Sequence, residues 1–198
     1  NGNEVLGCFG QSGLLRKKLL TAISMQIFEF FFQLLVGKKK GNKINTNGEV
    51  PKVGSSAPEF VLVDSDLNDI TLSSYDGKNI ILNIIPSLDT PVCQKSTKIF
   101  NEKASTLPDV AILAVSADLP FAMKRFCSTE SIESVKPLSM MRSRNFAKDY
   151  GVLLIDGPLS GITARAVIVI DKNKKIIHSE LVQEIANEPN YDAALNSL

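Results

Sequence analysis

An apolar run, Asn79-Ile80-Ile81-Leu82-Asn83-Ile84-Ile85, leads straight into Pro86-Ser87-Leu88-Asp89-Thr90-Pro91-Val92-Cys93. The run reads as a buried strand. Beyond it, Val92, Ser96, Ile99, Phe100, Ala104 and Leu107 recur at three- and four-residue spacing, which predicts a helix over roughly Pro91–Thr106. A second buried run, Val110-Ala111-Ile112-Leu113-Ala114-Val115-Ser116, follows. Strand, helix and strand in that order predict a βαβ unit with a right-handed crossover. The octet is then a strand-to-helix turn. Thr90 suits the N-cap, and Pro91 suits the first helical position, where its missing N–H costs nothing. Cys93 falls in the first turn of the helix.

That placement bears on chemistry. Unpaired backbone N–H groups and the positive end of the helix dipole favour a thiolate over a thiol. Cysteines at helix starts, or beside a cation, drop from a pKa of about 8.5 to roughly 3.5–7.5, and the thiolate is the nucleophilic form. Most free cysteines are simply small buried hydrophobes. Position alone does not choose between the two.

The other cysteines narrow the options. Cys8, Cys93 and Cys127 are too few, and odd in number, for a secreted disulfide scaffold. None forms a Cys-x-x-Cys pair, and His178 is the single histidine, so zinc, iron–sulfur and histidine-driven nucleophile machinery are not expected. No Gly-rich phosphate loop is present, so no nucleotide cofactor is expected, and the Lys38–Lys40 cluster lacks the interleaved aromatics and extended basic face of a nucleic-acid site. His178 lies in a strand-like run, Lys175 to Glu180, and is expected on its solvent face. A catalytic Cys93 would need an activator other than histidine.

Charge divides the chain unevenly. Residues 1–50 hold seven Lys/Arg against three Asp/Glu, a net of +4, whereas residues 51–198 net −3. Within residues 1–31, Arg16-Lys17-Lys18 followed by Leu19 to Phe28 resembles a basic and then hydrophobic leader. Glu29 interrupts it, no small-residue cleavage site follows, and the uncharged stretch is about half of the roughly twenty residues a span needs. We read 1–31 as an extension ahead of a domain at 32–198, with a weak anchor or a cleaved signal as alternatives and Met25 as a possible internal start. The cytoplasm is the expected location; the periplasm or a membrane surface stays open if residues 1–31 are a genuine targeting segment.

Further along, Phe31–Val36 and Lys43–Thr46 read as a hairpin around a Gly37–Asn42 turn, its lysines a solvated tip. Glu59–Asp64 and Asp69–Leu72 read as short strands. Asp118 is expected to cap a short helix that has Pro120 near its start and runs to Cys127. Arg142–Tyr150 reads as a helix ended by Gly151, and Arg165–Asp171 and Lys175–Val182 as a strand pair, with a C-terminal helix from Tyr191. Alternating helices and strands predict a three-layer α/β fold with a mixed sheet.

Four motifs now converge. Pro86-x-x-x-Thr90-x-x-Cys93 resembles the active-site signature of peroxiredoxins, which have a thioredoxin-like fold. Ser116-Ala117-Asp118-Leu119-Pro120-Phe121-Ala122 with Arg125-Phe126-Cys127 is similar to the thiol peroxidase subfamily. So are Asp156-Gly157-Pro158-Leu159 through Ala164-Arg165-Ala166, and Glu188-Pro189-x-Tyr191-x-Ala193-Ala194-Leu195. The likeness runs from about Val36 to Leu198.

The resemblance implies an α/β/α thioredoxin-like fold with an N-terminal hairpin, and reduction of hydrogen peroxide and organic hydroperoxides without a cofactor or metal. Cys93 would attack the O–O bond and become a sulfenic acid. Thr90 would hydrogen-bond sulfur and peroxide, and Arg165 would supply the cation. Pro86 would shape the turn and shield the sulfur. Cys127 matches the resolving cysteine, and a thioredoxin would reduce the resulting disulfide. A homodimer is also implied. Cys8 and residues 1–31 have no counterpart in the pattern, and Ser160 and Thr163 look like tolerated variation beside Arg165.

Bland readings stand beside these. Arg165 suits a surface ion pair, Thr90 a plain N-cap and Pro86 a strand terminator. A permanent Cys93–Cys127 bridge would stabilise the fold by about 3–4 kcal/mol in the chain-entropy model, but a thiolate-poised cysteine is a poor choice for an inert bond. Two functional alternatives remain open: a one-cysteine peroxidase served by an outside thiol, and a non-enzymatic redox sensor or holdase using the same disulfide.

Overall fold

A computed structural model describes residues 36–39 and 41–198, with the backbone alone described for 36–39 and 42. The expectations for residues 1–31, including Cys8 and the leader-like segment, lie outside the described residues. No helix among the described residues is long and apolar enough to cross a membrane.

In chain order the elements are β1 (Val36–Lys39), β2 (Asn42–Asn45), β3 (Val61–Val63), β4 (Asp69–Thr71), a 3-10 turn (Leu72–Tyr75) and β5 (Asn79–Ile84). Then come α1 (Pro91–Ala104), β6 (Val110–Ser116), α2 (Pro120–Thr129), β7 (Val135–Ser139) and α3 (Asn145–Asp149). The chain closes with β8 (Ala166–Ile170), β9 (Ile176–Leu181) and α4 (Tyr191–Leu195). Seven strands form one mixed sheet in the order β4-β3-β7-β6-β5-β8-β9. β5 and β6 are parallel, as the βαβ reading requires, while β8 runs antiparallel on the other side of β5.

Strand alternation sorts the core into two layers. Ile80, Leu82 and Ile84 of β5 join Leu113, Val115, Leu138 and Phe146 on one face. Ile81 and Ile85 join Phe100, Ile112, Met123, Phe126 and Ala194 on the other, under α1, α2 and α4. Each fully buried Ile or Leu contributes about 1.5–3 kcal/mol, so the central strand anchors both layers. Asn83 breaks the apolar pattern. It is fully buried beneath α1, its amide donating to Ser96 Oγ and Thr97 Oγ1 at 3.4 and 3.5 Å.

Several sequence expectations change in detail. The hairpin forms, but Lys39 pairs with Asn42, so the turn is two residues long and Lys38 and Lys39 lie in the strand. Gly41, at φ +80°, supplies the left-handed conformation that so tight a turn needs. β7 has no counterpart in the sequence reading, and at its centre it carries Pro137, a residue rarely found in an interior strand. It is tolerated because β3 meets β7 only at Val63–Ser139, so no ladder bond on that side is lost at Pro137. The expected Arg142–Tyr150 helix shortens to Asn145–Asp149. Gly151 follows at φ +65°, where a Cβ would collide with the Glu49 carbonyl.

His178 departs from its expected solvent face. It is half-buried, paired with Val169 beside a register shift at Val169/Ile170, and its Nε2 is buried without a hydrogen-bond partner. Asp118 is not a cap either: Leu119 is the N-cap of α2, and the Asp118 carboxylate is used elsewhere.

Candidate active site

α1 begins where the octet predicted. Thr90 is its N-cap, with extended backbone, Pro91 follows at the first helical position, and Cys93 is the third helical residue. The Thr90 side chain does not cap the helix. Its hydroxyl lies 2.8 Å from Cys93 Sγ and 3.1 Å from the Ser87 carbonyl oxygen. One hydroxyl proton thus has two acceptors in reach. Beside a thiol, Thr90 donates to the Ser87 carbonyl and accepts from sulfur; beside a thiolate it donates to sulfur.

Arg165 completes the set. It directly precedes β8, and pairing of Ile84 with Ala166 brings it alongside the end of β5. Its Nη2 lies 3.4 Å from Cys93 Sγ. The Ile185 carbonyl accepts from both Nε and Nη2 at 3.1 Å, which fixes the plane of the guanidinium. Arg165 is only 2% exposed, and Nη1 is buried without a partner. It is therefore not the surface ion pair of the bland reading. A buried cation is costly unless acceptors and anions face it; the hydrogen-bond acceptors Arg165 meets are that carbonyl and the Cys93 sulfur, and the Glu188 carboxylate also feels its charge.

Cys93 itself has no solvent exposure. Thr90 and Arg165 instead line a cavity of about 340 Å³ walled by Pro86, Pro91, Val92, Leu159, Ile162 and Ile185. The groups that touch sulfur therefore also face a space that a reactant could occupy. A cavity of similar size, about 350 Å³, is lined by Phe60, Thr71, Phe146 and Asp149 among others, but neither a cysteine nor a cation lines it. Pro86 is buried, terminating β5 and walling the first cavity at once.

Cys127 sits apart in character. It lies near the end of α2, half-buried against the same apolar layer that contains Cys93, and burial raises its thiol above the ordinary 9.0. Cys93 and Cys127 are both free thiols in this structure.

Three positioning features escaped the sequence reading. Thr163 has the look of loop variation in the sequence, yet it is fully buried and its hydroxyl donates to the Ile85 carbonyl at 2.7 Å, tying the approach to Arg165 to the start of the octet. The Ile185 carbonyl carries no residue-type signal at all. The Glu188/Tyr191 motif explains its own presence: Lys95 of α1 meets Glu188 at 2.6 Å, Tyr191 Oη donates to Glu188 at 3.0 Å, and Tyr191 packs edge-on against Phe100 at 5.3 Å. Together they fasten the Ile185 segment to α1.

Comparison with known proteins gives the family. The Redoxin family model matches residues 52–195. The thiol peroxidase of Mycobacterium tuberculosis is 50% identical over 159 residues, covering 80% of this chain and 95% of that one. The thiol peroxidase of Corynebacterium glutamicum is 47% identical over 159 residues, covering 80% of this chain and 96% of the relative. A peroxiredoxin-like protein from Aquifex aeolicus superposes with a TM-score of 0.77 at 43% identity, covering 81% of this chain and 94% of its own. The chain belongs to the Redoxin family, as a peroxiredoxin-type peroxidase and so an oxidoreductase of thioredoxin-like fold.

Proposed function

We propose that Cys93 is the thiol that reduces the peroxide and that Cys127 resolves the product. The observation that carries this reading is the convergence of Thr90 Oγ1 and Arg165 Nη2 on one sulfur at a helix start. Two donors on a single sulfur suit an anion, because charged acceptors make the stronger hydrogen bonds. The sulfur attacks one peroxide oxygen. An S–O bond forms as the O–O bond breaks, two electrons pass to the peroxide, and the departing oxygen takes a proton to leave as water or an alcohol. Thr90 and Arg165 are placed to stabilise charge on those oxygens as it develops. The apolar wall of Pro86, Val92, Leu159, Ile162 and Ile185 supports organic hydroperoxides as substrates beside hydrogen peroxide.

Cys93 then stands as a sulfenic acid. Cys127 attacks it, an S–S bond forms and water leaves. Bonded cysteines hold their Cα atoms about 4.4–6.8 Å apart, so the first turn of α1 and the last of α2 unwind to meet. A thioredoxin dithiol returns the two electrons by thiol–disulfide exchange. The reading assigns this chemistry to residues 32–198, with 1–31 as an extension outside it.

The test is hydroperoxide consumption with thioredoxin and its reductase. Wild type should turn over and Cys93→Ser should not. A Cys93→Ser protein that keeps catalytic turnover would remove the assignment.

A further inference from the structure

The loop that carries Thr90 is held from below by a carboxylate that plays no part in the chemistry described so far. Asp118 lies between the end of β6 and the start of α2. Its Oδ1 accepts from Ser87 Oγ at 2.8 Å. Its Oδ2 accepts from the Leu88 backbone N–H at 2.7 Å and from Ser116 Oγ at 2.8 Å. Ser116, fully buried, accepts in turn from the Asp118 N–H at 3.1 Å, and the fully buried Ser139 donates to the Asp118 carbonyl. Asp118 is thus fixed from two strands, at its carboxylate by Ser116 of β6 and at its carbonyl by Ser139 of β7, and its carboxylate holds two consecutive residues of the octet.

Ser87 is the link to sulfur. Its carbonyl accepts from the Thr90 N–H at 3.2 Å and from the Thr90 hydroxyl at 3.1 Å, while its own hydroxyl accepts from the Asp89 N–H at 3.1 Å. The position of that carbonyl decides how the single Thr90 proton divides between Ser87 and Cys93. Charge-assisted bonds to Asp118 are roughly twice as strong as neutral ones, so the carboxylate dominates where Ser87 sits.

We propose that Asp118 is a positioning residue for the thiol loop: its carboxylate holds Ser87, and through Ser87 it holds the Thr90 hydroxyl on the Cys93 sulfur. The inference rests on Cys93 being the reacting thiol. The same carboxylate joins the Cys93 loop to the start of the helix that carries Cys127, so the two cysteine-bearing segments share one anchor.

Charge and position predict opposite signs. Removing a nearby negative charge, by itself, stabilises a thiolate and speeds its reactions. Loosening Thr90 slows them. The experiment follows Cys93 in the full chain by mass spectrometry of its peptide, both for oxidation by hydrogen peroxide and for alkylation by iodoacetamide at pH 7. Asp118→Asn and Ser87→Ala should each slow both reactions about tenfold, the worth of one hydrogen bond in the active arrangement. Ser87→Thr, which keeps the hydroxyl, should restore the wild-type rate. In a Thr90→Val background, Asp118→Asn and Ser87→Ala should add less than about twofold, because coupled residues are not additive.

Faster alkylation in Asp118→Asn, or a full tenfold loss that persists without the Thr90 hydroxyl, would overturn the proposal. Should Asp118→Asn fail to fold, the Ser87 pair decides alone. Alkylation needs no peroxide, so failure of the peroxidase assignment shows as an inert wild type in the oxidation arm while the alkylation arm still reads the positioning.

Discussion

Cys93 and Cys127 border the same apolar layer, yet their surroundings oppose each other. Cys93 stands in the first turn of α1, wholly buried, with a hydroxyl and a guanidinium on its sulfur. Cys127 stands near the end of α2, half-buried, and no hydrogen bond to its sulfur is found among the described residues. Helix starts attract negative charge and helix ends repel it. Burial with polar partners therefore prepares one sulfur to react, while burial without them keeps the other a neutral thiol, raised above 9.0. Depth alone does not decide the reactivity of a cysteine; what faces it does.

The largest effect expected from breaking this asymmetry is at Cys127. Cys127→Ser should abolish turnover driven by thioredoxin while a single round of Cys93 oxidation persists, visible as trapped sulfenic acid. Undiminished turnover would mean that an outside thiol resolves Cys93.

Next comes Arg165→Met, which should slow Cys93 oxidation by about 10²–10³, the range for losing one preorganised donor. It should not lower Tm, since it removes a buried cation whose Nη1 has no partner. A clear fall in Tm would show that Arg165 serves the Ile185 segment more than the sulfur.

Thr90→Val should cost about tenfold in the same single-turnover measurement, with Thr90→Ser close to wild type, because only the hydroxyl meets sulfur. Equal losses in both would put the effect on the methyl group and the packing of the turn.

The smallest effect on activity is expected far from the sulfur, at Asp64. Burial tends to raise this carboxyl, but the N–H groups of Asn68 and Asp66, together with Lys136, outweigh it and hold it below its ordinary 3.8. A carboxyl depressed in the folded state contributes stability above its unfolded value, and that stability is lost as pH falls through the folded one. Asp64→Asn should therefore lower Tm at pH 7, with the difference shrinking in strong acid, and leave peroxide reduction unchanged. A pH-independent loss would assign the residue to packing.

Local chemistry made much of the site legible in advance. Period and punctuation around Asn79–Leu107 placed the strand, the turn, Pro91 and the helix start, because each depends on residues within one or two turns of chain. Expectation failed where tertiary partners decide. Asp118 has the residue type of a cap but serves a loop reached through the sheet. Thr163 looks like loop filler but meets the Ile85 carbonyl 78 residues away. β7 forms through pairing with β6 despite Pro137, and His178 is half-buried beside a register shift in the β8–β9 pair.

Sequence by itself determined that Cys93 heads a helix after a buried strand, since periodicity, a proline at the first helical position and a capping threonine are local matters. Only tertiary structure decided that a guanidinium meets that sulfur. Arg165 is 72 residues from Cys93 and arrives because β8 pairs antiparallel beside β5, with Ala166 opposite Ile84. The Ile185 carbonyl then fixes its plane. Strand register converts a distant arginine into a neighbour, and no window of local sequence contains that register.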